Sequence, residues 1–334
     1  MNVTVYDTTL REGAQSRGVW LTIKDKLRLL MLLDSLGVPY VEGGNPNAGE
    51  KERMFFREAS ALALQHTQLV AFGATRRHRQ PADQDEGLRA LLTAKTQHVC
   101  LFGKSWDYHV DHILCVPREE NIAMIEESVA WLVSKGRTVF YDAEHFFDGY
   151  KSDPDYAMET LEAACGAGAH SLTLCDTNGG CFPDEISQIV RDVTARFSGI
   201  PIGIHCHNDT GMADANSIAA VRSGAQLVQA TLGGFGERCG NANLLTQIAD
   251  LTLKLGYDTI PRERLASLYE VDASFHEIAN VKSNPMAPFV GRHAFAHKAG
   301  MHIDAVLKSP VSFEHIDPAL VGARSCLLYT SRCV

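Results

Sequence analysis

The sequence predicts an α/β chain: a (β/α)8 TIM barrel over residues 1–260, followed by a short, mainly helical linker subdomain over 261–322. Three observations carry this. Short apolar or β-branched runs recur along the chain, amphipathic helical stretches separate them, and polar residues collect just after each run. The runs are VTVYD (3–7), VPYVEGG (38–44), LVAFGAT (69–75), HVCLFG (98–103), TVFYDAE (138–144), SLTLCDT (171–177), IGIHCHND (202–209) and LVQATLGG (227–234). Eight β–α units over roughly 250 residues is the usual size of a closed barrel; a doubly wound open sheet seldom repeats so regularly. From residue 256 the rhythm is lost, and helical and loop material takes over near Pro261.

The helices carry their own signals. Thr22 and Asp25 are spaced as a capping box ahead of 24–36, where Leu27, Leu30 and Met31 make an i, i+3, i+4 face. Pro183 sits in the first turn of 183–197, and Ile186, Ile189, Val190 and Val193 make its buried stripe. Asp153-Pro154 opens another helix in the same way. Gly37, Gly136, Gly168 and Gly224 fall near helix ends, where a left-handed cap favours glycine.

Composition narrows the functional classes. Hydrophobic residues are 45% and charged residues 21%, ordinary for a globular chain. The net charge of -9 argues against nucleic-acid binding, so an anionic substrate must be met by local positive groups. No run is long and apolar enough to span a bilayer, and MNVTVYDTT lacks the pattern of a secretory signal. Nine cysteines without CxxC spacing suggest reduced thiols. The expectation is a cytoplasmic protein with no membrane and no nucleic-acid partner.

A barrel carries its chemistry at the C-terminal ends of its strands. There the sequence places Asp7, Arg11 and Glu12, then Glu42, Arg76 and Arg77, Lys104, Asp142 and Glu144, Asp176-Thr177-Asn178, and His205, His207, Asn208 and Asp209. His205 and His207 are the sharpest feature. At i and i+2 on a strand they share one side, with Cβ atoms roughly 6–7 Å apart. Ile202, Ile204 and Cys206 then face the helices, while Gly203 and both histidines face the axis. Two imidazoles with a nearby carboxylate suit a divalent ion; the plain alternative is a hydrogen-bonded histidine pair. GGFGERCGN (233–241) holds four glycines, which let backbone N–H groups converge on an anion or simply permit a tight loop. Arg11-Glu12 offers a guanidinium for a carboxylate or enolate and a carboxylate for a metal. Spacing alone leaves Glu144 open between general base, salt-bridge partner and buried acid.

Longer motifs then add a resemblance. DTTLREGAQ (7–15), HCHND (205–209) and GERCGNANL (236–244) resemble signatures of the acyl-CoA-dependent Claisen condensing enzymes, the 2-isopropylmalate, homocitrate and citramalate synthases. VAFGATRR (70–77), LFGKSWD (101–107), YDAEHFFDGYK (141–151), LCDTNGG (174–180) and GRHAFAHKAGMH (291–302) are most similar to the citramalate synthase branch. The resemblance covers the chain to about Gly322 and implies condensation of acetyl-CoA with pyruvate to (R)-citramalate, for isoleucine synthesis. It implies a divalent metal (Zn2+, Mn2+ or Mg2+) on Glu12, His205 and His207, with Asn241 beside it. Arg11 would stabilise oxyanion charge and Thr177 would hold the keto-acid carboxylate. Glu144 would move a proton, and His302 and Asp304 would form an acid–base pair. Gly234, Gly236, Glu237 and Gly240 would make the loop that meets CoA. The segment after the barrel would reach a partner's active site, implying a homodimer. The sister activities, 2-isopropylmalate or homocitrate synthase, remain alternatives, as does a fragment that only binds metal and keto acid; the 291–304 segment argues against a retro-aldol lyase.

Three departures from the family pattern bear on substrate choice and extent. Glu12 stands where many citramalate synthases have Asp, and the second-strand loop reads GGNPNAG. A C-terminal regulatory domain is expected to be missing, and residues 323–334, ARSCLLYTSRCV, read as a non-native tail.

Overall fold

The structure is a computed structural model that describes residues 3–328. Residues 329–334, half of the tail singled out above, lie outside the described residues. Eight parallel strands close into a barrel in chain order. They are β1 (Thr4–Asp7), β2 (Tyr40–Gly44), β3 (Gln68–Ala74), β4 (His98–Lys104), β5 (Thr138–Glu144), β6 (Ser171–Asp176), β7 (Ile202–Cys206) and β8 (Leu227–Ala230). β8 closes on β1 with Thr4 opposite Leu227 and Asp7 opposite Ala230.

Alternation along each strand decides what lies inside. Outward residues such as Leu172, Leu174, Ile202, Ile204 and Cys206 join the large core between barrel and helices. Inward, Tyr6, Val70, Cys100, Phe140 and Leu227 fill the barrel in a separate cluster. Tyr6 and Phe140 meet edge to face with ring centroids 5.5 Å apart, so the floor is solid rather than a pore. Above it comes a polar layer of Glu42, Asp142, Thr173, Gln229 and His205, all buried.

The helix signals hold with one correction. Thr22 and Asp25 form a complete capping box on Ile23–Leu36, and Gly37 caps its end at φ 87°. The buried face, however, is Lys26, Leu29, Leu30, Leu33 and Leu36, while Met31 is 56% exposed. Leu30 lies on both possible stripes. Leu29, Leu33 and Leu36 continue the i, i+4, i+7 row for a further turn, and the longer row is the one that packs. β7 also ends earlier than the 202–209 run suggests. His207 leaves the ladder, donates its N–H to the Asp176 carbonyl at 3.2 Å and forms an isolated bridge with Asn241.

After the barrel, helix Leu268–Ile278 packs on Ile23–Leu36. Helix Gly300–Lys308 follows, and the chain adds a small parallel pairing of Cys326–Leu327 with Ala296–His297. Among the described residues no helix is long and apolar enough to cross a membrane.

Candidate active site

The turn after β1 sets the site. The Thr8 carbonyl accepts from the N–H groups of Arg11 (3.2 Å), Glu12 (2.7 Å) and Gly13 (3.2 Å), which curls the chain back over the barrel mouth. The Asp7 carboxylate holds Thr9, and Thr9 Oγ1 accepts from the Leu232 N–H at 2.8 Å, tying this turn to the loop after β8. Arg11 and Glu12 are thereby fixed over the axis.

Glu12, His205 and His207 converge from that turn and from β7. One ligand atom from each lies within 4.8 Å of the others, and all three residues are buried. The two Nε2 atoms stand 3.4 Å apart, and His207 Nε2 lies 3.7 Å from Glu12 Oε1. Burial, and then His205, push His207 down to about 3, so its ring is neutral. Burial works against ionised Glu12, but Arg11 and the two histidines outweigh it and hold its carboxyl below the ordinary value. A neutral imidazole and an ionised carboxylate are the ligating forms.

Two further features bear on whether an ion fits. His205 Nδ1 lies 2.8 Å from Gln229 Oε1, an acceptor, so the lone pair of His205 sits on Nε2, facing the other donors. Asn241 donates its amide to that nitrogen at 3.1 Å, while its buried Oδ1 has no partner among the described residues. Half a turn of the amide would bring the oxygen to the ligand side. The donor set and the orphaned oxygen fit a divalent cation.

Arg11 donates to Glu42 and to Glu12, and its guanidinium lies 3.8 Å over the Phe72 ring. Burial opposes its charge, yet Glu42 and Glu12 outweigh that and raise its pKa. It borders a cavity of about 270 Å³ whose walls include Phe72, Phe102, Glu144, Thr177, Glu237 and Arg238. Phe72 and Phe102 are stacked, with centroids 5.2 Å apart. Glu144 is ion-paired with Lys104. Thr177 Oγ1 accepts from the His145 N–H at 2.8 Å, and among the described residues its hydroxyl proton has no acceptor.

Other predicted residues sit elsewhere. His302 and Asp304 lie on the exposed helix Gly300–Lys308, outside this cavity; His302 stacks on Phe313 at 4.1 Å, and Asp304 pairs with Lys308 at 2.6 Å. Arg76 is a structural cation, bonded to Glu120 and Glu127. In the glycine-rich loop, Gly234 and Gly240 have φ of 69° and 90°, and their N–H groups already donate to the Thr231 and Glu237 carbonyls. The shown role of these glycines is close packing: a Cβ on Gly240 would meet the Gly234 carbonyl at 2.0 Å, and one on Gly236 would meet Asn241 Oδ1 at 1.8 Å. Sequence reasoning missed Gln229, Phe72 and Phe102. Gln229 was visible as a lone amide inside an apolar strand.

The chain is a barrel with a candidate metal-ligand set at its mouth, and it belongs to the HMGL-like family, whose model matches residues 2–280. A second model, the homocitrate synthase post-HMGL domain-like region, matches 289–334. The chain is similar to (R)-citramalate synthase of Synechocystis sp., 49% identical over 326 residues, covering 95% of this chain and 59% of that protein. It is also similar to (R)-citramalate synthase of Aquifex aeolicus, at 48% identity over 96% of this chain and 61% of that one. A 2-isopropylmalate synthase of Sulfurisphaera tokodaii is 34% identical, over 96% of this chain and 80% of that protein. The chain thus spans about 60% of the length of those citramalate synthases. An HMG-CoA lyase structure from Bacillus subtilis shares the fold, with a TM-score of 0.70, 20% identity and coverage of 84% of this chain and 94% of that one.

Proposed function

We propose that this chain carries the catalytic core of an (R)-citramalate synthase. The observation that carries the reading is the convergence of Glu12, His205 and His207 beside Arg11 in a small cavity, in a chain 44–49% identical to several (R)-citramalate synthases. In the reaction the acetyl-CoA methyl carbon loses a proton and bonds to the keto carbon of pyruvate. Water then cleaves the thioester, giving (R)-citramalate and CoA.

When bound by Glu12, His205, His207 and Asn241, a divalent ion (Zn2+, Mn2+ or Mg2+) would supply Lewis-acid polarisation of a keto oxygen. The chain's own groups do the rest. Arg11, held rigid by two carboxylates and Phe72, presents its remaining N–H groups to the oxygen on which charge grows. Thr177 donates its hydroxyl to the keto-acid carboxylate. Glu144, at the cavity wall beside Lys104, is placed to move a proton. The stacked Phe72 and Phe102 leave an apolar wall suited to a methyl group.

His302 and Asp304 stand away from this chain's own cavity on a helix that also exposes Met301 (85%) and Leu307 (64%). We assign this face to a homodimer in which the helix reaches a second copy's cavity and contributes the acid–base pair. The loop Gly234–Gly240 with Glu237 then borders the entry used by acetyl-CoA.

The test is a keto-acid panel with acetyl-CoA, a divalent metal and thiol detection. Pyruvate is expected to drive CoA release. Release with 2-ketoisovalerate or 2-ketoglutarate but not pyruvate would assign a sister activity. Calorimetric binding of pyruvate without any turnover would mark a chain that only holds metal and keto acid.

A further inference from the structure

We infer that Gln229 and Asp142 are positioning residues that lock the tautomer of His205 and thereby set how tightly the site holds a divalent ion. This rests on the metal-binding reading above.

Register brings the three residues together. His205 on β7 is the direct partner of Gln229 on β8, so both side chains enter the barrel in one layer. Asp142 reaches the same layer from β5, across the barrel axis. Gln229 is 1% exposed and Asp142 3% exposed, so water does not compete for their hydrogen bonds. Gln229 Oε1 faces His205 Nδ1 at 2.8 Å, and Gln229 Nε2 donates to Asp142 Oδ1 at 2.8 Å. Thr173 Oγ1, at 3.4 Å from the same amide nitrogen, is the weaker neighbour.

An amide has two ends and can present either to an imidazole. With its nitrogen toward His205, the ring would carry its proton on Nε2 and lose the lone pair a ligand needs. An ionised carboxylate only accepts hydrogen bonds. Asp142 therefore forces Nε2 of Gln229 toward itself and Oε1 toward His205. Nδ1 must then be the protonated ring nitrogen, and Nε2, 3.4 Å from its counterpart on His207, keeps its lone pair. A metal-bound histidine is commonly oriented by a carboxylate or carbonyl on its other nitrogen. Here an amide is interposed, and the carboxylate acts one residue removed. The arrangement supplies the acceptor without placing a second negative charge against the imidazole.

The experiment uses the full chain at pH 8, where Asp142, lifted to about 6 mainly by burial, is ionised. Mn2+ affinity is measured by electron paramagnetic resonance on wild type, Q229L, D142N and the double variant Q229E/D142N. Q229L and D142N are expected to bind Mn2+ roughly 10–100-fold more weakly, the usual cost of losing an orienting partner. The double variant exchanges amide and carboxylate: the carboxylate introduced at position 229 would accept both from His205 Nδ1 and from the amide introduced at position 142. It is expected to recover most of the lost affinity, which a merely structural role would not produce. Nitrogen-15 shifts of the His205 ring in metal-free wild type report the tautomer directly, independent of how any variant folds. A ring protonated on Nε2 overturns the inference. So does wild-type Mn2+ affinity in D142N, or a double variant no tighter than D142N. If wild type binds no Mn2+ at all, the metal reading itself falls, and this inference with it.

Discussion

Gly236 gives the sharpest test of how the loop after β8 serves the site. Its φ is not in the left-handed region, so alanine is conformationally acceptable there. The obstacle is steric. A Cβ would sit 1.8 Å from Asn241 Oδ1 and 3.0 Å from its Cγ, where ordinary contact begins at 3.4 Å. The Asn241 amide must therefore retreat by roughly 1.5 Å, a displacement of the size that can cost about 100-fold in a positioned site. Asn241 cannot swing clear at no cost, because its N–H donates to the Gly234 carbonyl at 2.9 Å and its backbone bridges His207. G236A should weaken Mn2+ binding roughly 10–100-fold and lower stability by about 1–3 kcal/mol through overpacking. Calorimetric titration of Mn2+ and urea unfolding read the two effects separately. Alanine keeps the backbone N–H, so a loop built only to cradle an anion would leave metal affinity untouched. A G236A variant with wild-type Mn2+ affinity would refute the packing argument.

Four other outcomes are expected. E12A and H207A should each abolish the thermal stabilisation that Mn2+ gives wild type, about 2.7 kcal/mol at 100 times Kd; scanning calorimetry with and without metal decides it. R11K should keep most of the metal affinity but lose about 10²–10³ in kcat, because lysine keeps the charge and lacks the planar fork held by Glu42 and Glu12; an effect confined to KM would contradict this. Asp7 is raised by burial from 3.8 to about 7, against the opposing bonds from Thr9. Its proton is held by the folded state and released by the unfolded chain between those values. Its contribution is complete below about pH 4 and is lost as pH rises through 7, on the order of 4 kcal/mol in all. Asp142, raised to about 6, adds a slope of the same sign. Urea titrations of D7N at pH 5 and pH 8 should show most of that slope gone. Finally, L307E should shift the chain from dimer to monomer in light scattering while leaving the far-ultraviolet spectrum unchanged; a monomeric wild type would remove the assembly proposal.

The barrel was legible because its determinants are local and periodic. Each strand is a short apolar run, each helix repeats its stripe, and the caps at Thr22, Gly37 and Pro183 obey backbone chemistry that needs no tertiary context. His205 was legible for the same reason: alternation with Ile202, Ile204 and Cys206 turns it inward, whereas His207 lies just past the strand's end and is held by backbone pairing with Asp176 and Asn241. Glu12 is different in kind. It follows β1 by five residues, in a turn shaped by three N–H groups converging on one carbonyl, and no periodicity announces it. Its place beside the histidines came from motif resemblance. Gln229 and Phe102 were harder still, since their roles arise from which strands become neighbours on closure. Met31 shows the limit at the smallest scale: two overlapping stripes share Leu30, and only packing along the whole helix chooses between them.

The charges around the cavity give one coherent reason for these placements. Glu12, Glu42 and Asp142 bring three carboxylates to the buried polar layer and the mouth above it, where, among the described residues, Arg11 is the fixed cation bonded to them. His207 stays neutral, and Lys104 is already matched by Glu144. With those carboxylates ionised, this set carries two more negative than positive charges, a surplus that is expensive in a low-dielectric interior. A bound divalent cation cancels it. Arg11, paired with both Glu12 and Glu42, keeps those two carboxylates from repelling each other across the mouth. Protonation is the other way to remove the surplus, and burial raises Asp142 toward it. A cation held by Glu12, His205 and His207 would therefore compete with that protonation.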